Sequence, residues 1–142
     1  MRFLYLFIIT LLFSSCSQED NRIIPTVQTF TKLSTATTGI TFNNEIQETQ
    51  TRNHFLWPSI YNGGGVGVCD INNDGLLDIM MTKTFGNDEL YLNKGGMQFE
   101  NISVKAGIQG NPNNVSSGIS FGDVNQDGYK DIYVSVFGSS DN

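Results

Sequence analysis

Two nine-residue stretches hold the side chains best suited to chemistry: Asp70-Ile71-Asn72-Asn73-Asp74-Gly75-Leu76-Leu77-Asp78 returns, 53 residues later, as Asp123-Val124-Asn125-Gln126-Asp127-Gly128-Tyr129-Lys130-Asp131. Carboxylate or amide oxygens stand at positions 1, 3, 5 and 9. A Gly at position 6 supplies a turn with φ > 0, so each stretch can curl around one hard cation. The expected ligands in the first loop are the side chains of Asp70, Asn72, Asp74 and Asp78 with the backbone carbonyl of Leu76; in the second they are Asp123, Asn125, Asp127 and Asp131 with the carbonyl of Tyr129. Oxygen-only ligands at this pitch point to Ca²⁺. Mg²⁺ suits them less, because it prefers rigid octahedral geometry and keeps its waters. Three carboxylates in one tight turn repel one another unless a divalent ion about 2.3–2.6 Å from each oxygen offsets that repulsion. The alternative is an unliganded turn rich in Asp and Asn, whose carboxylates cap backbone N–H groups.

Position 12 separates these loops from an EF-hand, which needs a bidentate Glu there; the residues are Met81 and Val134. A dockerin would enter a helix after the loop, whereas these copies enter a strand. A β-roll nonapeptide fits Gly64-Gly65-Val66-Gly67-Val68 but places Cys69 where it requires Asp.

The elements that must position the loops repeat as well. Gly65-Val66-Gly67-Val68-Cys69 precedes the first copy and Gly118-Ile119-Ser120-Phe121-Gly122 the second, while Ile79-Met80-Met81-Thr82 and Ile132-Tyr133-Val134-Ser135 follow them. Short apolar or alternating runs rich in β-branched and aromatic residues favour strands, so each copy reads as strand, tight loop, strand. In the first unit strands are predicted near Gly65–Cys69, Asp78–Lys83, Glu89–Asn93 and Gln98–Asn101, with Asn93-Lys94-Gly95-Gly96 as a hairpin turn. Asn111-Pro112-Asn113-Asn114 reads as a turn-rich connector.

Length and composition bound the rest. The chain has 142 residues and a net charge of -6, with eight Lys and Arg against fourteen Asp and Glu. One modest domain is the expectation, and a large two-domain enzyme is excluded. With so few cations, and none clustered, there is no electrostatic footprint for nucleic acid. Ten Phe and five Tyr supply core material. One His and two Cys leave little for a zinc site. Base catalysis would rest on His54 alone, and no set of residues has the logic of nucleophile, base and oxyanion stabiliser, so no catalytic residue is nominated.

The amino terminus reads as an address. Met1-Arg2, an apolar run from Phe3 to Phe13 and Ser14-Ser15-Cys16 have the anatomy of a helical signal peptide, too short to span a bilayer. Phe13-Ser14-Ser15-Cys16 resembles the lipobox of bacterial lipoproteins, with Phe13 in place of the usual Leu. The resemblance implies lipidation of Cys16 and display from the outer membrane or cell surface of a Gram-negative bacterium. Gln18-Glu19-Asp20 resembles the acidic tag of surface-displayed lipoproteins. The alternative is an ordinary cleaved signal with a chance Cys. If Cys16 carries lipid, Cys69 has no partner and no disulfide framework is expected. Residues 1–15 are thus the signal peptide and 16–38 a Thr-rich tether.

With these residues in view, both copies resemble the FG-GAP/VCBS repeat of β-propellers, including the calcium-binding blades of integrin α-subunits; Phe85-Gly86 and Phe121-Gly122 are pairs of the kind that name it. A closer resemblance is to proteins that combine such repeats with an ASPIC/UnbV domain, the cartilage acidic protein-like group. It is carried by Thr38–Phe42, Gly63–Asp70, Asn87–Gly96 and Phe99–Ile108. Cys69 departs from the apolar or aromatic residue usual there, and no ASPIC/UnbV domain follows. The resemblance implies an all-β fold, an incomplete β-propeller of about one and a half four-stranded blades over residues 39–142, the first unit spanning about 63–107 and the second about 116–142. The second unit ends before its third strand, so the chain is expected to be the N-terminal part of a longer protein, with a piece of a closing blade at Gly39–Asn43. A ring of several copies is the alternative closure.

Other features have plainer readings. Trp57, beside His54, is either a packing anchor or a surface for stacking a sugar ring. Asn101-Ile102-Ser103 and Asn114-Val115-Ser116 match the N-glycosylation pattern; if the lipoprotein reading holds, the host is bacterial and the match carries little meaning. The functional expectation is a non-enzymatic, lipid-anchored, calcium-stabilised propeller that presents loops to a protein or glycan partner. The rivals are part of an exported calcium-stabilised propeller enzyme acting on polysaccharide, and an assembly or chaperone-like surface protein.

Overall fold

The computed structural model describes residues 30–111 and 113–139. The segment read as a signal peptide, Cys16 and most of the stretch read as a tether lie outside the described residues. Among the described residues there are six strands and two four-residue helices: α1 (Thr35–Thr38), β1 (Val66–Cys69), β2 (Asp78–Met81), β3 (Glu89–Asn93), β4 (Phe99–Asn101), α2 (Ser103–Ala106), β5 (Asn114–Gly122) and β6 (Asp131–Ser139). The fold is all-β. Strands β1 to β4 form one antiparallel sheet in sequence order, and β5 pairs with β6 in a second. The first sheet is the four-stranded unit expected of a propeller blade, with registers Gly67↔Met80, Met80↔Leu90 and Leu92↔Glu100 running across it.

Local chemistry explains these elements. Met80, Leu90 and Tyr91 are almost completely buried; Leu90 and Tyr91 are consecutive in β3 and so lie on opposite faces of the sheet, both of which are covered there. The Asn93–Gly96 hairpin turn forms as predicted: Asn93 Oδ1 accepts the Gly95 N–H at 2.8 Å, and Gly95 and Gly96 take positive φ.

Among the described residues the apolar core is thin: Ile60, Met80, Leu90, Tyr91 and Val115. Polar groups stitch it together. Thr82 Oγ1 accepts the Gly65 N–H at 2.6 Å, and Ser103 Oγ accepts the Leu90 N–H at 2.9 Å. Among the described residues no buried side-chain nitrogen or oxygen lacks a partner. Such satisfaction matters, because each unpaired buried group would cost about 1–3 kcal/mol.

Several expectations are corrected. Strand β5 begins at Asn114, inside the stretch read as a connector, and bulges between Asn114 and Gly118. Its early residues Val115 and Ser116 are buried, so tertiary packing outweighs the turn propensity of the Asn residues. Thr35–Thr38, read as tether, forms a helical turn. Ser34 Oγ caps it by accepting the Thr37 N–H, and Gly39 closes it at φ 74°. Gly39–Asn43 forms no strand; side chains hold the segment instead. Thr41 N–H donates to the Tyr91 hydroxyl at 3.2 Å, and the Asn44 amide both accepts from Thr84 N–H and donates to Thr84 Oγ1. Helix α2 was not expected; Asn101 Oδ1 starts it by accepting the Ser103 N–H at 3.0 Å. Because the Asn101 amide also donates to Glu89 at 3.0 Å, both of its polar ends are committed within the fold.

The two sheets meet through β1 and β5. Gly67 has no side chain because none fits: a Cβ there would lie 2.6 Å from the Phe121 ring and 2.8 Å from Ile119. The Phe of one Phe-Gly pair thus packs over the preceding repeat. The other, Phe85, meets Trp57 edge-on at 5.9 Å and lies beneath the Arg52 guanidinium at 4.8 Å. Trp57 also covers Gly138 and donates to the Thr51 carbonyl at 3.2 Å. It is a packing anchor.

Candidate metal centre

Each Asp loop joins two antiparallel strands, β1 to β2 and β5 to β6. The two are built alike, bond for bond. In the first, Asp70 Oδ1 accepts the Asp74 N–H at 3.1 Å and Oδ2 the Gly75 N–H at 2.8 Å; in the second, Asp123 accepts the Asp127 N–H at 3.1 Å and the Gly128 N–H at 2.9 Å. Asn72 and Asn125 each accept the position-5 N–H at 3.1 Å and donate to the position-5 carboxylate. Asp74 Oδ1 accepts the Leu76 N–H and Asp127 Oδ1 the Tyr129 N–H, both at 2.8 Å. Asp78 and Asp131 close the loops by accepting the N–H groups of Ile71 and Val124.

The backbone follows the same template. Gly75 and Gly128 adopt φ 84° and 88°, and the position-4 residues Asn73 and Gln126 adopt φ 61° and 62°. Left-handed conformations are natural for Gly and tolerated by Asn. The structure therefore brings Asp70, Asn72 and Asp74 together by hydrogen bonds, and likewise Asp123, Asn125 and Asp127. Asp78 stands apart in burial: at 1% exposure it accepts Ile71 N–H through Oδ2 and Asn93 N–H through Oδ1.

Electrostatics agree with the bonding. The Asn72 amide and the Leu76 N–H hold Asp74 below the usual carboxylate range, with burial opposing and Lys94 assisting. The Tyr129 N–H and the Asn125 amide do the same for Asp127. Both carboxylates are favoured in the ionised form.

The donor set, all oxygen and mostly acidic, fits a hard divalent cation in kind. Among the described residues no three His, Cys, Asp or Glu side chains converge closely enough to enclose an ion. The carboxylates instead brace N–H groups, the bonding that an unliganded turn also requires. Each carboxylate oxygen accepting one N–H retains another lone-pair site, so bracing and ligation are chemically compatible.

Sequence reading missed three supporting groups. Asn93 pins the end of the first loop, its side chain donating to the Leu77 carbonyl at 2.9 Å. Asp88, 5% exposed, accepts the Lys83 N–H and the Ser116 hydroxyl, both at 2.9 Å, and so ties the first sheet to β5. Burial pushes its pKa up. Asn73 donates from the first loop to the second, reaching the Gly128 carbonyl at 3.0 Å. Its position in an Asp-rich turn was legible; its partner was not.

His54 is part of a surface cluster. Its Nδ1 lies 3.0 Å from Glu48 Oε1, which also accepts the His54 N–H and stays below the usual carboxylate range on account of these bonds and the Tyr61 hydroxyl. Cys69 Sγ lies 3.6 Å from the Asp70 carbonyl.

Antiparallel sheets that each turn one strand into the next through the same Asp loop define a propeller-like repeat protein. The sequence model of the FG-GAP-like repeat family matches residues 49–134, and the chain belongs to that family. Repeats of this kind build β-propeller-like interaction modules. Comparisons with curated proteins and with solved structures find no match.

Proposed function

We propose that the protein is a calcium-stapled interaction module, anchored by lipid on Cys16 outside the inner membrane of a Gram-negative bacterium, at the outer membrane or cell surface, where it presents its loops to a protein or glycan partner. The observation that carries the calcium reading is the duplicated Asp loop with its repeated bonding. Asp70, Asn72 and Asp74 with the Leu76 carbonyl would hold one ion, joined by Asp78. Asp123, Asn125, Asp127 and Asp131 with the Tyr129 carbonyl would hold the other. Bound calcium would supply charge neutralisation within each turn; the chain's own contribution is to bend each loop at Gly75 or Gly128 and to keep its carboxylates ionised. The role is binding rather than catalysis. The closer kinship proposed, to VCBS and ASPIC/UnbV proteins, rests on the stretches quoted above.

Calcium titration by calorimetry, with thermal melts in calcium and in chelator, tests this. Saturable binding and a melt raised by calcium are expected. At a hundredfold excess over Kd, one site adds about 2.7 kcal/mol of stability. No binding heat together with a chelator-insensitive melt would leave the loops as ordinary turns.

A further inference from the structure

The geometry points to Asn73 as a positioning residue for the second loop: it is no ligand of its own loop, and it fixes the peptide that leads into the second loop's backbone ligand. The Gly128–Tyr129 peptide is held at both of its polar ends. Its carbonyl accepts from Asn73 Nδ2 at 3.0 Å, and its N–H donates to Asp127 Oδ1 at 2.8 Å. The next carbonyl along the chain is that of Tyr129. In the first loop the equivalent peptide, Gly75–Leu76, has its N–H held by Asp74, but among the described residues no side chain donates to the Gly75 carbonyl. At this peptide, two loops with the same internal bonding therefore differ in one external restraint.

Asn73 is suited to this task. Its left-handed backbone, φ 61°, occurs again at the equivalent Gln126, so the conformation belongs to the loop template rather than to the contact. The contact itself spans 55 residues and joins one repeat to the next. Order in the first loop thereby propagates to the second. Its consequence for cation affinity rests on the calcium reading above; its consequence for loop order does not.

Hydrogen exchange on the full chain in chelator separates the two. Asn73→Gly keeps the positive φ and removes the donor, while Asn73→Asp keeps the side-chain shape and replaces the donor by an acceptor. Both variants are expected to speed exchange at Asp127, Gly128 and Tyr129 by about two- to tenfold, the loss expected for one modest hydrogen bond. The denaturation midpoint should change little, which distinguishes positioning of this loop from general destabilisation. Unchanged exchange at those three amides in both variants would overturn the assignment. Calcium calorimetry on the same proteins adds the second arm: one of the two binding steps should lose a similar factor in Asn73→Gly while the other is unchanged. A wild-type chain that gives no calcium heat would sink the calcium reading and leave the exchange result to decide the role of Asn73.

Discussion

Asp78 accepts the backbone N–H of Asn93 at 2.8 Å, and Asn93 returns its side-chain amide to the carbonyl of Leu77, next to Asp78, at 2.9 Å. This reciprocal pair locks the exit of the first Asp loop onto the end of β3. The loop is thereby coupled to the sheet, and the last Asp of the motif acts as a buried brace whatever else its oxygens bind.

Removing the brace should be costly. Asp78→Ala strands the N–H groups of Ile71 and Asn93 at a site only 1% exposed. A loss of about 2–4 kcal/mol is expected. Urea denaturation should show a lower midpoint at constant slope. A midpoint within experimental error of wild type would show that water or a relaxed backbone satisfies both donors.

Asp74→Ala combined with Asp127→Ala removes the central carboxylate of each loop. Both residues lie on the exposed rim, so the fold should survive. Calcium-dependent stabilisation should vanish in melts with and without chelator. Unchanged calorimetric stoichiometry in the double variant would refute the ligand assignment.

Acid acts in opposite directions on different carboxylates. Asp74 and Asp127 titrate below their ordinary range, so their stabilisation is present above the unfolded carboxylate value and is lost as pH falls through the lower folded one. Asp88 is raised by burial, against the pull of the Lys83 N–H and the Ser116 hydroxyl. The folded state takes up that proton before the unfolded chain does. Ionisation of Asp88 therefore opposes folding above its raised pKa, and this opposition fades as pH falls through that value. Asp88→Asn keeps an acceptor for Lys83 and removes the charge, so its stability relative to wild type should be most favourable at neutral pH and should decline on acidification. Denaturant midpoints at neutral and mildly acidic pH check the sign; a difference that grows on acidification would contradict it.

The anchor is tested in cells. Cys16→Ala should abolish incorporation of labelled fatty acid and leave the protein in its precursor form. Labelling that persists would remove the lipobox from the account.

Much of this molecule was legible because it is local. Two copies of one nine-residue pattern announced two turns, and the positive φ at Gly75 and Gly128 followed from the residue type at position 6. The blade's strands lie within one or two residues of their predicted bounds, and β1 and β2 carry the period-two burial of half-buried strands. The Asn93–Gly96 turn is written in its Asn and Gly residues.

What the sequence could not decide involves residues far apart in the chain. Nothing near Asn114 signals a strand; burial of Val115 and Ser116 between the sheets makes it one. Nothing in the Asp78 motif distinguishes it from Asp131, yet Asn93, fifteen residues on, encloses the first in the blade. The partners of Asp88 and Asn73 were likewise invisible, because Ser116 and Gly128 lie 28 and 55 residues away. Turn chemistry is set by neighbours along the chain and can be read from it. Bracing and coupling are set by neighbours in space, and only packing one repeat against the next brings those groups within hydrogen-bonding reach.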